Sequence, residues 1–192
     1  MATTIRAAVA MLVLLLLSGC SDGNASPRDP SSTWSPTGTM QTPTSAAPDP
    51  VEPQLPAAAK EASKAGARAF IAYYWDLINY AQVTGDVKAL RSVSASTCSG
   101  CRAGIRGIRK HYASGGAIVG GINRVARLNL TEVTSASGIY AFQGDAQVDH
   151  DAQTIVAGDG SEDSRTSGTD MWTLYALWVD NSYWRLDVME LK

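Results

Sequence analysis

Proline, cysteine, histidine and charge are all in short supply in this 192-residue chain, and each shortage excludes something. All eight prolines fall between Pro27 and Pro56, so nothing beyond residue 56 is interrupted by one. Three cysteines and two histidines make a metal quartet possible only if Cys98, Cys101, His111 and His150 all converge. Charged residues are 18% of the chain and the formal net charge is −2, which excludes a nucleic-acid-coating chain and an acidic disordered one. The longest apolar run, Ala7–Leu17, has 11 residues where a membrane-crossing helix needs about 20. No Ser-His-Asp order and no phosphate loop is present. The length suits one domain.

That short apolar run has a function of its own. Arg6 precedes it, and Leu17-Ser18-Gly19-Cys20 follows. Small residues ahead of a cysteine resemble a bacterial lipobox, which implies removal of residues 1–19 and a diacylglyceryl group on Cys20. The protein is therefore expected at the extracytoplasmic face of the cell membrane, held there by lipid. Residues 20–56 carry every proline and, after Cys20, eleven serines or threonines, with only Trp34, Met40, Val51 and Leu55 as sizeable apolar groups. Such a stretch cannot offset its ordering entropy and is expected as a disordered tether of roughly 100 Å reach.

The two remaining cysteines, Cys98 and Cys101, form a C-x-x-C. In an exported chain the default is a small disulfide loop. A redox pair and a partial metal site stay open as alternatives.

Residues 57–192 are expected to fold as one α+β domain, with N-terminal helices packed on a curved antiparallel sheet of about four strands. Phe70, Ile71, Tyr74, Leu77, Ile78 and Ala81 recur at three- and four-residue steps and predict one helix over Ala57–Thr84, stopped by Gly85. Asp86 begins a short helix through Leu90. A third helix is expected over Ser99–Ser114, in which Gly104 and Gly107 would let another element approach. Beyond Ala117 the period becomes two. Long strands are expected over Val119–Val133, bent at Gly120-Gly121, and over Ile139–Val156; a polar loop over Ala157–Gly168; then strands Asp170–Val179 and Tyr183–Leu191.

Three segments carry a resemblance: FIAYYWDLINYAQVTGD (Phe70–Asp86), the C-x-x-C before the third helix, and WVDNSYWRLDVMEL (Trp178–Leu191). Together they resemble a family of small actinobacterial lipoproteins of unknown function. More broadly they are similar to the nuclear-transport-factor-like cone, also seen in scytalone dehydratase and ketosteroid isomerase. The resemblance covers Ala65–Lys192 and implies helices closing over a sheet, often around a pocket. It implies no activity and no cofactor.

Two groups of residues are candidates for binding. Tyr74, Asp76 and Tyr80 on the first helix are the pocket candidates, since cone enzymes use an acid aided by tyrosines. Arg102, Arg106, Arg109 and Lys110 fall on one flank of the third helix. They sit in a polarised domain: eight Lys or Arg against one acid from Asp86 to Arg127, then eleven acids against three bases from Glu132 onward. That flank suits an envelope protein, an anionic polymer or anionic lipid. Expected is a non-enzymatic binding or accessory domain on a flexible tether, with a pocket enzyme or small hydrophobic ligand binder as the alternative. No catalytic residue, metal or nucleic-acid partner is expected.

Overall fold

The computed structural model describes residues 49–134 and 138–192. They belong to one compact unit, Ala46–Lys192, while the other unit, Met1–Ser45, lies outside the described residues. The expected signal segment, Cys20 and most of the expected tether also lie there. Residues 49–56 form neither helix nor strand.

The first expected helix is two pieces. Ala57–Lys60 make a single 3-10 turn, and α1 runs over Lys64–Thr84. Ser63 divides them: its backbone is extended and its Oγ accepts from the Gly66 amide at 3.0 Å, which starts a helix afresh. Gly85, at φ 75°, ends α1 as expected. The buried stripe of α1, Ala67, Phe70, Ile71, Tyr74, Leu77 and Ala81, follows the helical repeat. Helix α2 is Lys88–Ser92 and α3 is Ser99–Ala113. Asp86 stands outside α2, its Oδ1 accepting from the Lys88 amide at 2.9 Å. No helix among the described residues is long and apolar enough to cross a membrane.

Among the described residues, seven strands form two antiparallel sheets. The larger has the order β2 (Asn123–Thr134), β3 (Tyr140–His150), β6 (Gly168–Val179), β7 (Tyr183–Leu191). The smaller has the order β1 (Ala117–Gly120), β4 (Gln153–Val156), β5 (Glu162–Arg165). Each of the two expected long strands is thus broken in two, and both breaks lie at one place. Gly120 and Gly121 both take φ 73°, and across from them the chain turns at Asp151-Ala152. Gly121 donates to the Ala152 carbonyl (2.9 Å) and Asp151 to that of Ile122 (3.0 Å), so the ribbon bends out of one sheet and into the other without losing its pairing. Glycine adopts two such conformations in succession at little cost. The expected polar loop also contains β5, all four of whose residues are exposed. A strand with nothing to bury leaves no periodicity to read.

Register places the core. Leu130, Gly144, Leu174 and Met189 lie in one row across the large sheet, and Phe142, Ala176 and Leu186 in the next. At Gly144 an added Cβ would crowd the Leu128 and Leu130 side chains of the neighbouring strand, so its missing side chain makes room for them beneath α1. Tyr140, Phe142, Trp178 and Trp184 pack as an aromatic cluster beyond it, with centroids 5.2–6.0 Å apart. Residues 93–95 run along the outer side of β7: Ala95 donates to the Leu186 carbonyl and Leu186 to that of Val93, each at 2.9 Å.

Candidate functional site

Helix α3 organises both candidate surfaces. Cys98 caps it, and its disulfide to Cys101 closes the first turn. Both sulfur residues are buried, at 1% and 3% exposure, so an attacking thiol cannot reach them without local opening. No group of three or more metal-ligating side chains occurs among the described residues. The bridge is therefore a staple in this fold. Replacing both cysteines with serine should lower the unfolding free energy by about 2 kcal/mol, the loop-closure value for so short a ring, measured by urea denaturation. An unchanged denaturation midpoint would refute this.

One side of α3 faces inward through Cys101 and Ile105, with Ile108 half-buried. The other presents Arg102, Arg106, Arg109 and Lys110, all exposed. Across a shallow groove stands Arg91, and the groove, of about 490 Å³, is bordered by Arg91, Ser94, Arg102, Arg106 and Arg109. None of these cations makes an ion pair with an acid among the described residues, whereas Arg124, Arg165 and Arg185 each do. Arg102 moreover stands in the first turn of α3, where the helix dipole disfavours a cation.

Of the pocket candidates, Tyr74 lines a cavity. That cavity, of about 460 Å³, lies between α1, α3 and the ends of β6 and β7, and is lined by Tyr74, Trp75, Ile78, Ile105, Ile108 and Trp172 among others. The Ser94 hydroxyl donates to the Leu90 carbonyl at 2.7 Å, which leaves its oxygen to accept from the Tyr74 hydroxyl at 2.8 Å. Burial pushes the Tyr74 phenol up to about 12, the Ser94 hydrogen bond offsetting only part of this. Asp76 is exposed, with its carboxyl raised by partial desolvation, and Tyr80 is half-buried; neither lines the cavity. The three do not converge.

The residues that sequence reasoning missed here are Trp75 and Trp172, brought together from α1 and β6. His111 is half-buried and engaged, its Nε2 3.0 Å from the Ala117 carbonyl. His150 Nε2 stands 3.7 Å from Asp170 Oδ2.

The glycines of α3 divide sharply. A Cβ at Gly100 would strike the Met189 carbonyl, so this glycine carries the close approach of α3 to β7. At Gly104 and Gly107 a Cβ would meet nothing within 4 Å, contrary to the expectation that they admit a neighbour. Both are exposed mid-helix glycines, which cost about 0.5–1 kcal/mol each relative to alanine. Gly104→Ala and Gly107→Ala should each raise the unfolding free energy by that amount in chemical denaturation. Destabilisation at either position would show an unseen contact.

Comparison with known proteins gives a family but no activity. A family described as "Family of unknown function (DUF6318)" matches residues 37–190. No curated protein matches. Among solved structures the chain is similar to the "Crystal structure of intermembrane space region of chloroplast protein ARC6", at 11% identity and a TM-score of 0.49 over 67% of this chain and 95% of that one.

Proposed function

Because the chain belongs to the DUF6318 family, whose function is unknown, we propose a role for it from its surface chemistry: a cell-envelope lipoprotein that displays a non-enzymatic binding domain to an anionic partner. In this reading a lipid on Cys20 holds the chain at the extracytoplasmic face, and residues 20–56 give reach. The α+β domain, with helices closing over the larger sheet as in the nuclear-transport-factor-like cone, supplies a rigid face. The observation that carries the proposal is the groove of Arg91, Arg102, Arg106 and Arg109, which no acid neutralises among the described residues. Cations left unpaired on a stapled helix attract an anionic polymer, an anionic headgroup or an acidic protein surface.

Sedimentation of the unlipidated chain from Ser21 with phosphatidylglycerol vesicles tests this. Binding should exceed that to phosphatidylcholine and fall with salt. At about 1 kcal/mol per basic residue near an anionic surface, Arg102→Gln with Arg106→Gln should weaken it about thirtyfold. Equal binding to both vesicles, or an unaffected double variant, would remove anionic lipid as the partner; the same variant assayed against teichoic-type polymer and acidic envelope protein would then decide for the face as a whole.

A specific observation also favours the alternative, a binder of small hydrophobic ligands: the 460 Å³ cavity beside Tyr74 has mostly apolar walls.

A further inference from the structure

Besides the groove facing Arg91, α3 borders a second concavity of about 490 Å³, lined by Ala103, Arg106, Gly107, Arg109, Lys110 and Ala113. Arg106 and Arg109 border both, and no acid lines either. Five cations thus serve the pair: Arg91, Arg102, Arg106, Arg109 and Lys110. Arg102, Arg106 and Lys110 follow at four-residue steps, about 6 Å apart along the helix axis. Between the cations of the second concavity the residues are small. At Gly107 open space stands where a Cβ would be. An exposed mid-helix glycine weakens the helix, and here it admits no neighbour of its own fold. What it leaves free is access to the helix between Arg106 and Lys110.

We propose that this face of α3 binds a linear polyol phosphate, its successive phosphodiesters lying against Arg91 and Arg102, then Arg106 and Arg109, then Lys110. Four of the five cations are guanidinium groups, which match a pair of phosphate oxygens two-pronged. Neither concavity is lined by an aromatic ring, so the bases of a nucleic acid would find no stacking surface. Arg91 stands across the first groove from α3, and an occupant must enter the groove to meet both walls. A chain does so; a flat layer of lipid headgroups does not. The inference rests on reading the basic groove as an anionic docking face, and it names the anion.

The test is calorimetric titration of the unlipidated chain from Ser21 with short poly(glycerol phosphate). Free glycerol phosphate, polyglutamate and phosphatidylglycerol vesicles serve as comparisons at equal anion concentration. The polymer should bind at least tenfold more tightly than any of them, and five contacts should make log K fall against log salt with a slope of about −3.5. Arg106→Gln with Arg109→Gln should bring the slope to about −2 and weaken binding at least tenfold. Gly107→Leu fills the open space without changing charge. It should weaken polymer binding severalfold, leave vesicle binding unmoved and unfold as cooperatively as the parent. Any comparison anion bound as tightly as the polymer, or undiminished polymer binding by Gly107→Leu, would overturn the proposal and leave an anionic docking face standing. No binding to any of the four, or an unaffected double arginine variant, would remove the reading of the groove as well.

Discussion

Trp184→Ala should cost about 3–5 kcal/mol of folding free energy, more than any other single truncation considered for this protein. Trp184 is 2% exposed. It holds together Tyr140, Phe142 and Trp178, with centroids at 6.0, 6.0 and 5.2 Å. Its indole also donates to the Glu61 carbonyl, tying the segment ahead of α1 to β7. Truncation therefore opens a cavity in the core and orphans a carbonyl at its edge. Domains of this size have a total stability of about 5–15 kcal/mol, so the melting temperature should fall by roughly 10–20 °C. Trp184→Phe, which keeps an aromatic ring, should cost less than half as much. A loss below about 1.5 kcal/mol for the alanine variant would mean that the cluster is not the keystone its geometry indicates.

Raising the pH from 10 to 12 should remove about 2 kcal/mol of stability through Tyr74 alone. In the unfolded chain this phenol titrates near its ordinary value of 10, while in the folded domain burial pushes it up to about 12. Below pH 10 the group is neutral in both states and its full contribution is present. Between the two values the unfolded chain sheds its proton first, so unfolding gains and stability declines. The Tyr74→Phe variant loses the hydrogen bond to Ser94 and should begin about 1 kcal/mol less stable. Its stability should nevertheless fall less steeply over that window. Parallel curves for the two proteins, from denaturant titrations across the range, would refute the assignment.

What could be read in the sequence follows from what is buried. The stripe from Phe70 to Ala81 records contact with a core, and so do Trp184 and Leu186, which made α1 and β7 legible; the alternation would continue to Val188, but a register shift opposite Tyr175-Ala176 turns Met189 inward in its place. The charged flank of α3 was legible for the converse reason. Strand β5 was not, because Glu162–Arg165 face solvent throughout and their pairing with β4 is a matter of backbone alone. The pair Gly120-Gly121 announced a bend, but not that the bend exchanges one sheet for another, since that depends on a partner at Asp151-Ala152. The tyrosines of α1 drew attention because they resemble catalytic donors. Tryptophan in a helix or strand reads as core, and only the fold brings Trp75 of α1 and Trp172 of β6 together beside a cavity.

The run Glu162-Asp163-Ser164-Arg165 has a consequence for life at high local density. As one of the two outer strands of the smaller sheet, β5 presents a row of unpaired backbone groups, a template onto which another copy could add a strand. Three of its four side chains are charged and all are exposed, so covering this edge with another copy would take charged groups out of water. On the larger sheet the margin of β7 is occupied by residues 93–95, and β2 at the opposite margin displays Arg124, Arg127 and Glu132. These three borders, at β5, β7 and β2, discourage edge-to-edge addition there, so copies at high local density are kept from joining through them.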